Sequence, residues 1–125
     1  MPRLLLVEDE AAIAVLLEET FGDAGFEVVF ASYGDEALVL LDSMAGPPDV
    51  LVTDINLGRG PTGLDVARRA RELHPDLPIV FITGHAELEP HSCGFDDALV
   101  CPKPFIPWQF AEKVRAHLEA SAAPD

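Results

Sequence analysis

Residues 48–56 read PDVLVTDIN and decide how the rest of the chain is interpreted. An apolar run bounded by turn-forming residues is typical of a buried strand, and this strand ends on the carboxylate of Asp54. A charge at the end of an apolar strand is costly unless other groups pair with it. In open parallel sheets, ligands bind at the carboxyl ends of the strands. Asp54 is therefore the first candidate functional residue, and its partners should follow other strands.

The composition indicates one globular domain and argues against anionic partners. The chain has 125 residues, of which 49% are hydrophobic and 24% charged, as expected for a single core. Its formal net charge of -14 opposes binding to nucleic acid or to an anionic membrane surface. The first apolar run is too short for a signal peptide or a membrane-spanning helix, so we expect a cytoplasmic protein.

Four other apolar runs resemble the central one, and segments with helical spacing separate them. The runs predict strands at residues 4–7, 27–31, 78–83 and 98–101. Helices are predicted at residues 10–21, after residue 34, at residues 64–73 and from residue 107 onward. A short or frayed helix is expected between residues 84 and 97, because Pro90 and Gly94 interrupt that segment.

Strands that alternate with helices predict an α/β fold in which helices cover both faces of a parallel sheet. The doubly wound, flavodoxin-like strand order 2-1-3-4-5 fits five such strands best. That order makes the first and third strands neighbours and brings Glu8, Asp9 and Asp54 to one edge of the sheet. We expect one domain over residues 1–120 and a loose tail over residues 121–125.

Carboxylates crowded at one edge require a proton or a cation among them, since like charges repel. Oxygen ligands favour a hard metal, and Mg2+ is the expected ion. Glu8, Asp9, Asp54 and one backbone carbonyl could complete its shell. The alternative for Glu8 and Asp9 is a structural role at a helix N-terminus, where acids interact favourably with the helix dipole.

Thr83 ends the predicted fourth strand, and Lys103 follows the fifth. A carboxylate beside Mg2+ can attack phosphorus and form an aspartyl phosphate if nearby groups neutralise the phosphoryl oxygens. The Lys103 ammonium supplies a compact charge and the Thr83 hydroxyl a hydrogen bond. Taken separately, each of these two residues is more often structural or solvated than functional.

The residues at the strand ends resemble, in order and approximate spacing, those of one family, the receiver domain of two-component response regulators. The matching residues are Glu8-Asp9, Asp54, Thr83 and Lys103-Pro104. The resemblance covers nearly the whole chain. It implies that Asp54 is the phosphoacceptor, that Glu8 and Asp9 hold Mg2+, and that Asn56 contributes its backbone carbonyl to the ion.

The same resemblance implies roles for the later strand ends. Thr83 is expected to be the switch hydroxyl and Lys103 the lysine that binds the phosphoryl group. The Lys103-Pro104 peptide bond is expected to be cis, which would aim the lysine at the site. The family often carries an aromatic residue three positions before the lysine, where this chain has Val100. We therefore expect the switch to be read by another route.

The resemblance implies a single-domain response regulator that accepts a phosphoryl group on Asp54 from a phosphohistidine of a sensor kinase or histidine phosphotransferase. Its output would be contact with an unidentified downstream protein, or onward transfer in a phosphorelay. Such a protein is a phosphoacceptor capable of self-dephosphorylation, not an enzyme. Two alternatives stay open: a docking module independent of phosphorylation, and a Mg2+-dependent phosphohydrolase. Phosphohydrolases with an Asp nucleophile usually have a second Asp two residues later, where this chain has Asn56.

Overall fold

The computed structural model describes residues 1–84 and 94–122. This part of the chain contains five strands and four helices. The elements are, in chain order, β1 (Arg3–Val7), α1 (Ala11–Asp23), β2 (Glu27–Ala31), α2 (Gly34–Ser43), β3 (Val50–Asp54), α3 (Gly63–Leu73), β4 (Ile79–Thr83), β5 (Leu99–Pro102) and α4 (Pro107–Ala122).

The five strands form one sheet in which every neighbouring pair is parallel. Their order is β2-β1-β3-β4-β5, so the predicted doubly wound, flavodoxin-like arrangement is confirmed. In the sheet register, Val7 of β1 pairs with Thr53, and Asp54 pairs with Ile82 of β4. The residue after β1 and the last residue of β3 therefore lie side by side at the carboxyl edge of the sheet.

Helices cover both faces of the sheet, and alternate side chains of each strand belong to different apolar clusters. Leu5 and Leu51 pack in the cluster that includes residues of α2 and α3. Leu4 and Val52 pack in the cluster that includes residues of α1 and α4. Strands buried on both faces read as continuous apolar runs, which explains the pattern in the sequence. None of the helices in the described residues is long and apolar enough to span a membrane.

The observed elements differ from the predicted ones mainly at their ends. β5 begins one residue later than predicted, because the N–H of Ala98 donates to the Phe95 carbonyl in the preceding turn. α4 continues through Ala122, two residues into the segment predicted as a tail, and residues 123–125 lie outside the described part. The short helix predicted between residues 84 and 97 falls mainly on residues 85–93, which also lie outside it. Residues 94–97 contain turns.

The connection from β3 to α3 is fixed by a capping box and a close backbone contact. The Thr62 hydroxyl accepts a hydrogen bond from the Asp65 N–H at 3.2 Å, and the Asp65 carboxylate accepts one from the Thr62 N–H at 2.9 Å. The next residue, Gly63, packs directly on the end of β3. A Cβ atom at Gly63 would lie 2.0 Å from the Asp54 carbonyl oxygen. Only glycine therefore allows α3 to begin this close to Asp54.

Candidate functional site

The Asp54 carboxylate is nearly buried, and both of its oxygens have partners. The residue is 4% exposed. Its Oδ2 accepts a hydrogen bond from the Lys103 ammonium at 2.6 Å, and its Oδ1 accepts one from the Asn56 backbone N–H at 3.1 Å. A charge-assisted hydrogen bond of this kind stabilises a carboxylate that has lost most of its water.

The Lys103 ammonium is shared among three carboxylates. It lies 2.6 Å from Asp54, 3.1 Å from Glu10 and 3.8 Å from Glu8. Partial burial by itself lowers the pKa of Lys103, but the hydrogen bonds to Asp54 and Glu10 outweigh burial and hold that pKa above the usual lysine value. Lys103 is therefore cationic throughout the neutral pH range.

Thr83 and Lys103 meet at the carboxyl ends of β4 and β5. Thr83 is 2% exposed, and its carbonyl accepts a hydrogen bond from the Lys103 backbone N–H at 2.7 Å. The peptide bond between Lys103 and Pro104 is cis. Thr83, Lys103, Asp54 and Asn56 all line a cavity of about 230 Å³. A larger groove of about 460 Å³ between α1 and α4 contains none of these residues.

Glu8, the residue after β1, is a fully buried carboxylate. Its Oε1 accepts a hydrogen bond from the Glu10 backbone N–H at 3.1 Å, whereas its Oε2 has no hydrogen-bond partner among residues 1–84 and 94–122. Burial raises the pKa of Glu8 to about 7, although the bond from the Glu10 N–H opposes the rise. Glu8 is thus poised between its neutral and charged forms at neutral pH.

Three carboxylates converge at this end of the sheet. One carboxylate oxygen from each of Glu8, Glu10 and Asp54 lies within 4.8 Å of the other two. Asp9, which the sequence predicts as a ligand, does not belong to this group. It is half-buried, and its Oδ2 lies close to Gly58 in the loop after β3. The structure thus brings Glu8 and Asp54 together directly and leaves Asp9 beside them.

Glu10 is the site residue that the sequence analysis did not identify. It is the third of three consecutive acids after β1, and that run was the available signal. Spacing alone does not show which of the three side chains reach Asp54 and Lys103, because the chain leaves the strand there and begins α1. The Lys103 partner of Glu10 is 93 residues away in sequence.

The oxygen ligands available at this site suit a hard divalent cation. The three carboxylates offer oxygen atoms as ligands, and the Oε2 of Glu8 is buried with no hydrogen-bond partner among the residues that the structure describes. Burial and the nearby Asp54 carboxylate disfavour the charged form of Glu8 and raise its pKa, and a bound cation would stabilise that charged form. Carboxylate and carbonyl oxygens are the ligands that such cations prefer. The residues present therefore fit a bound metal ion.

Comparisons with known proteins agree with this geometry. The family model for the response regulator receiver domain matches residues 4–115. The chain is 39% identical over 107 residues to the response regulator receiver protein CpdR of Brucella abortus. The alignment covers 84% of this chain and 87% of CpdR. A response regulator receiver protein from Sinorhizobium medicae superposes with a TM-score of 0.88 at 42% identity, covering 96% of each chain.

A further solved structure and several longer relatives extend the comparison. The response regulator protein TrrA of Thermotoga maritima, in complex with Mg(2+)-BeF, has a TM-score of 0.77 at 31% identity and covers 94% of this chain and 99% of that one. The chain spans 12% of one curated sensor kinase and about half of several curated regulators. The family model covers most of the chain, and CpdR matches along most of its own length. The chain therefore belongs to the response regulator receiver domain family.

Proposed function

We propose that this receiver accepts a phosphoryl group on Asp54. The observation that carries the proposal is the 2.6 Å contact of the buried Asp54 carboxylate with the Lys103 ammonium, in a cavity that Thr83 also lines. An anionic nucleophile needs positive charge beside it before a second anion can approach. The position of Asp54 at the carboxyl end of a central strand, where α/β sheets bind ligands, supports the same role.

In the proposed reaction, a carboxylate oxygen of Asp54 forms a bond to phosphorus while the bond from phosphorus to a phosphohistidine nitrogen breaks. The imidazole keeps the electron pair of the broken bond and takes up a proton. The Lys103 ammonium and the Thr83 hydroxyl donate hydrogen bonds to the phosphoryl oxygens. Because Lys103 already contacts Asp54, its charge is in place before transfer begins.

We propose Mg2+ as the cation of the site. Glu8, Asp9, Asp54 and the backbone carbonyl of Asn56 are the proposed ligands. When bound, the ion neutralises charge on the carboxylates and the phosphoryl oxygens. The proposal is supported by the converging carboxylate oxygens of Glu8 and Asp54, and by the Oε2 of Glu8, which has no hydrogen-bond partner in the described part of the chain. It is also supported by the relative TrrA, which was solved with Mg(2+)-BeF.

The proposed phosphoryl donor is a phosphohistidine of a sensor kinase or histidine phosphotransfer protein. The proposed output is contact with another protein or onward transfer of the phosphoryl group, and we expect both in the cytoplasm. Membership of the receiver family supports a histidine-linked donor. The net charge of -14 argues against nucleic acid or an anionic membrane as the direct target. Neither the docking module nor the phosphohydrolase is favoured by these comparisons.

The test combines beryllofluoride, a phosphoryl analogue, with backbone amide NMR in the presence and absence of Mg2+. Wild type should show Mg2+-dependent shifts around Asp54, Thr83 and Lys103. Asp54→Asn should lose them, because a neutral amide cannot coordinate beryllium as a carboxylate does. Asp76→Asn, which changes an exposed aspartate between α3 and β4, should respond like wild type. An unresponsive wild type, or an unchanged response in Asp54→Asn, would contradict the proposal.

A further inference from the structure

Glu10 makes a contact that the proposed reaction does not use. It is the N-cap residue of α1, yet within the described part of the chain its side chain makes no capping hydrogen bond. Instead, its Oε1 accepts a hydrogen bond from the Lys103 ammonium at 3.1 Å. Glu10 also lines the cavity in which Asp54 and Lys103 meet. The Glu10 side chain therefore contacts the lysine of the phosphoacceptor site and does not cap α1.

The contact sets up a competition for the Lys103 ammonium. In the structure, that ammonium donates one hydrogen bond to Asp54 and one to Glu10. A phosphoryl group on Asp54 would require the same ammonium and would bring further negative charge close to Glu10. The two carboxylates already lie within 4.8 Å of each other. Glu10 would then both repel the phosphoryl oxygens and withhold a donor from them.

Glu10 can release the Lys103 ammonium when a phosphoryl group on Asp54 competes for it. Its side chain is 60% exposed, so its carboxylate can turn to water, whereas Lys103 is only 20% exposed. Exposed ion pairs are weak and are broken at little cost. The pair therefore acts as a mild restraint and not as a block on the site.

We propose that Glu10 is a positioning residue that holds the Lys103 ammonium in the unphosphorylated protein and lowers the affinity of the site for a phosphoryl group. The inference rests on the proposed function of Asp54. Glu10 acts through Lys103 and takes no part in bond formation. Because its side chain is exposed, its removal should raise affinity by about two- to fivefold.

The test is a titration of wild type, Glu10→Ala and Glu19→Ala with beryllofluoride at saturating Mg2+, followed by backbone amide NMR. Glu19 is an exposed acid of α1, so its loss changes the net charge equally at another position. Glu10→Ala should bind beryllofluoride about two- to fivefold more tightly than wild type, and Glu19→Ala should match wild type. The Lys103 Nζ resonance should also shift in ligand-free Glu10→Ala, because Glu10 accepts a hydrogen bond from that ammonium, and should stay unchanged in Glu19→Ala.

Three other outcomes would contradict the inference, and one of them would also contradict the proposed function. Equal beryllofluoride affinity in Glu10→Ala and wild type would overturn the inference and leave the proposed function standing. A loss of Mg2+ affinity of about tenfold or more in Glu10→Ala would make Glu10 a ligand of the cation and would also overturn it. If wild type binds no beryllofluoride, the proposed function and the inference both fail. Glu10→Gln, which removes the charge at equal size, should change affinity in the same direction and replaces the alanine variant if that variant is unfolded.

Discussion

The Lys103 ammonium lies 2.6 Å from Asp54 and 3.8 Å from Glu8, so one cation offsets buried acids from two neighbouring strands. Without it, Asp54 and Glu8 would keep their burial and lose their counter-charge. Breaking a fully buried ion pair costs about 3 to 5 kcal/mol, and the partial exposure of Lys103 reduces that cost. We expect Lys103→Gln to lower the free energy of unfolding of the metal-free protein by about 1 to 3 kcal/mol.

Urea unfolding in the presence of EDTA measures this effect. Lys113→Gln is the matched control, because Lys113 is an exposed lysine of α4. Mg2+ should restore part of the lost stability in Lys103→Gln, since a bound cation supplies the missing positive charge. Equal unfolding midpoints for Lys103→Gln and Lys113→Gln would show that the ammonium does not stabilise the buried acids.

The raised pKa of Glu8 predicts a pH-dependent stability. Burial raises this pKa from 4.5 to about 7, so between these values the folded state holds a proton that the unfolded state has released. The contribution of Glu8 to the free energy of unfolding of the metal-free protein should therefore fall as pH rises from about 4.5 to about 7, and level off above the folded pKa. The full change is about 3 kcal/mol at most.

The same series of unfolding curves with Glu8→Gln isolates this contribution. Glutamine keeps the size of the side chain and has no titrating proton, so the variant should lack the part of the slope that Glu8 causes. The stability of wild type relative to Glu8→Gln should decline steadily across that pH window. Parallel curves for the two proteins would mean that Glu8 titrates alike in the folded and unfolded states.

The fold was readable from the sequence because helices cover both faces of the sheet, and the three inner strands β1, β3 and β4 are almost wholly buried. Such strands are continuous apolar runs. The edge strand β2 is mostly half-buried, yet its Val and Phe residues also predicted its bounds, residues 27–31. The ends that were misplaced depend on local hydrogen bonds. The N–H of Ala98 joins a turn instead of β5, and the Ser121 hydroxyl bonds to the His117 carbonyl within a helix that was expected to have ended. Apolar periodicity carries no information about such bonds.

The site was only partly readable, because strand order brings side chains to one edge but does not orient them. Asp54, Thr83 and Lys103 end or follow apolar strands, and their convergence follows from the strand order. Glu10 and Asp9 follow β1 in the turn that leads into α1, where the direction of each side chain depends on the backbone path. The sequence therefore supported Asp9 as a partner of Asp54, whereas the structure places Glu10 in the carboxylate group.

A comparison of Asp9→Asn with Glu10→Ala distinguishes these two acids by their effect on Mg2+ binding. If Asp9 is a ligand, as the family resemblance implies, Asp9→Asn should weaken Mg2+ binding by about tenfold or more. Glu10→Ala should weaken it by only about threefold or less, because Glu10 is expected to hold Lys103 and not the ion. Titration with Mg2+ followed by amide NMR gives both affinities. The reverse ranking would assign the ligand role to Glu10.

The packing of α3 on β3 predicts that Gly63→Ala damages both the fold and the site. A Cβ at this position would lie 2.0 Å from the Asp54 carbonyl oxygen, so α3 or the end of β3 must move. Overpacking of this kind costs about 1 to 3 kcal/mol. The control is Gly22→Ala in α1, where the added Cβ would meet no described atom within 4 Å apart from its chain neighbours and the helix backbone. Alanine should stabilise the helix there by about 0.5 to 1 kcal/mol.

Urea unfolding and beryllofluoride titration separate the two effects of Gly63→Ala. Displacement of the Asp54 backbone should also move its carboxylate away from Lys103, so beryllofluoride affinity should fall together with stability. Gly22→Ala is remote from the cavity and should keep wild-type affinity. A Gly63→Ala variant that loses stability at wild-type affinity would show that α3 yields and that the position of Asp54 is set by the sheet alone.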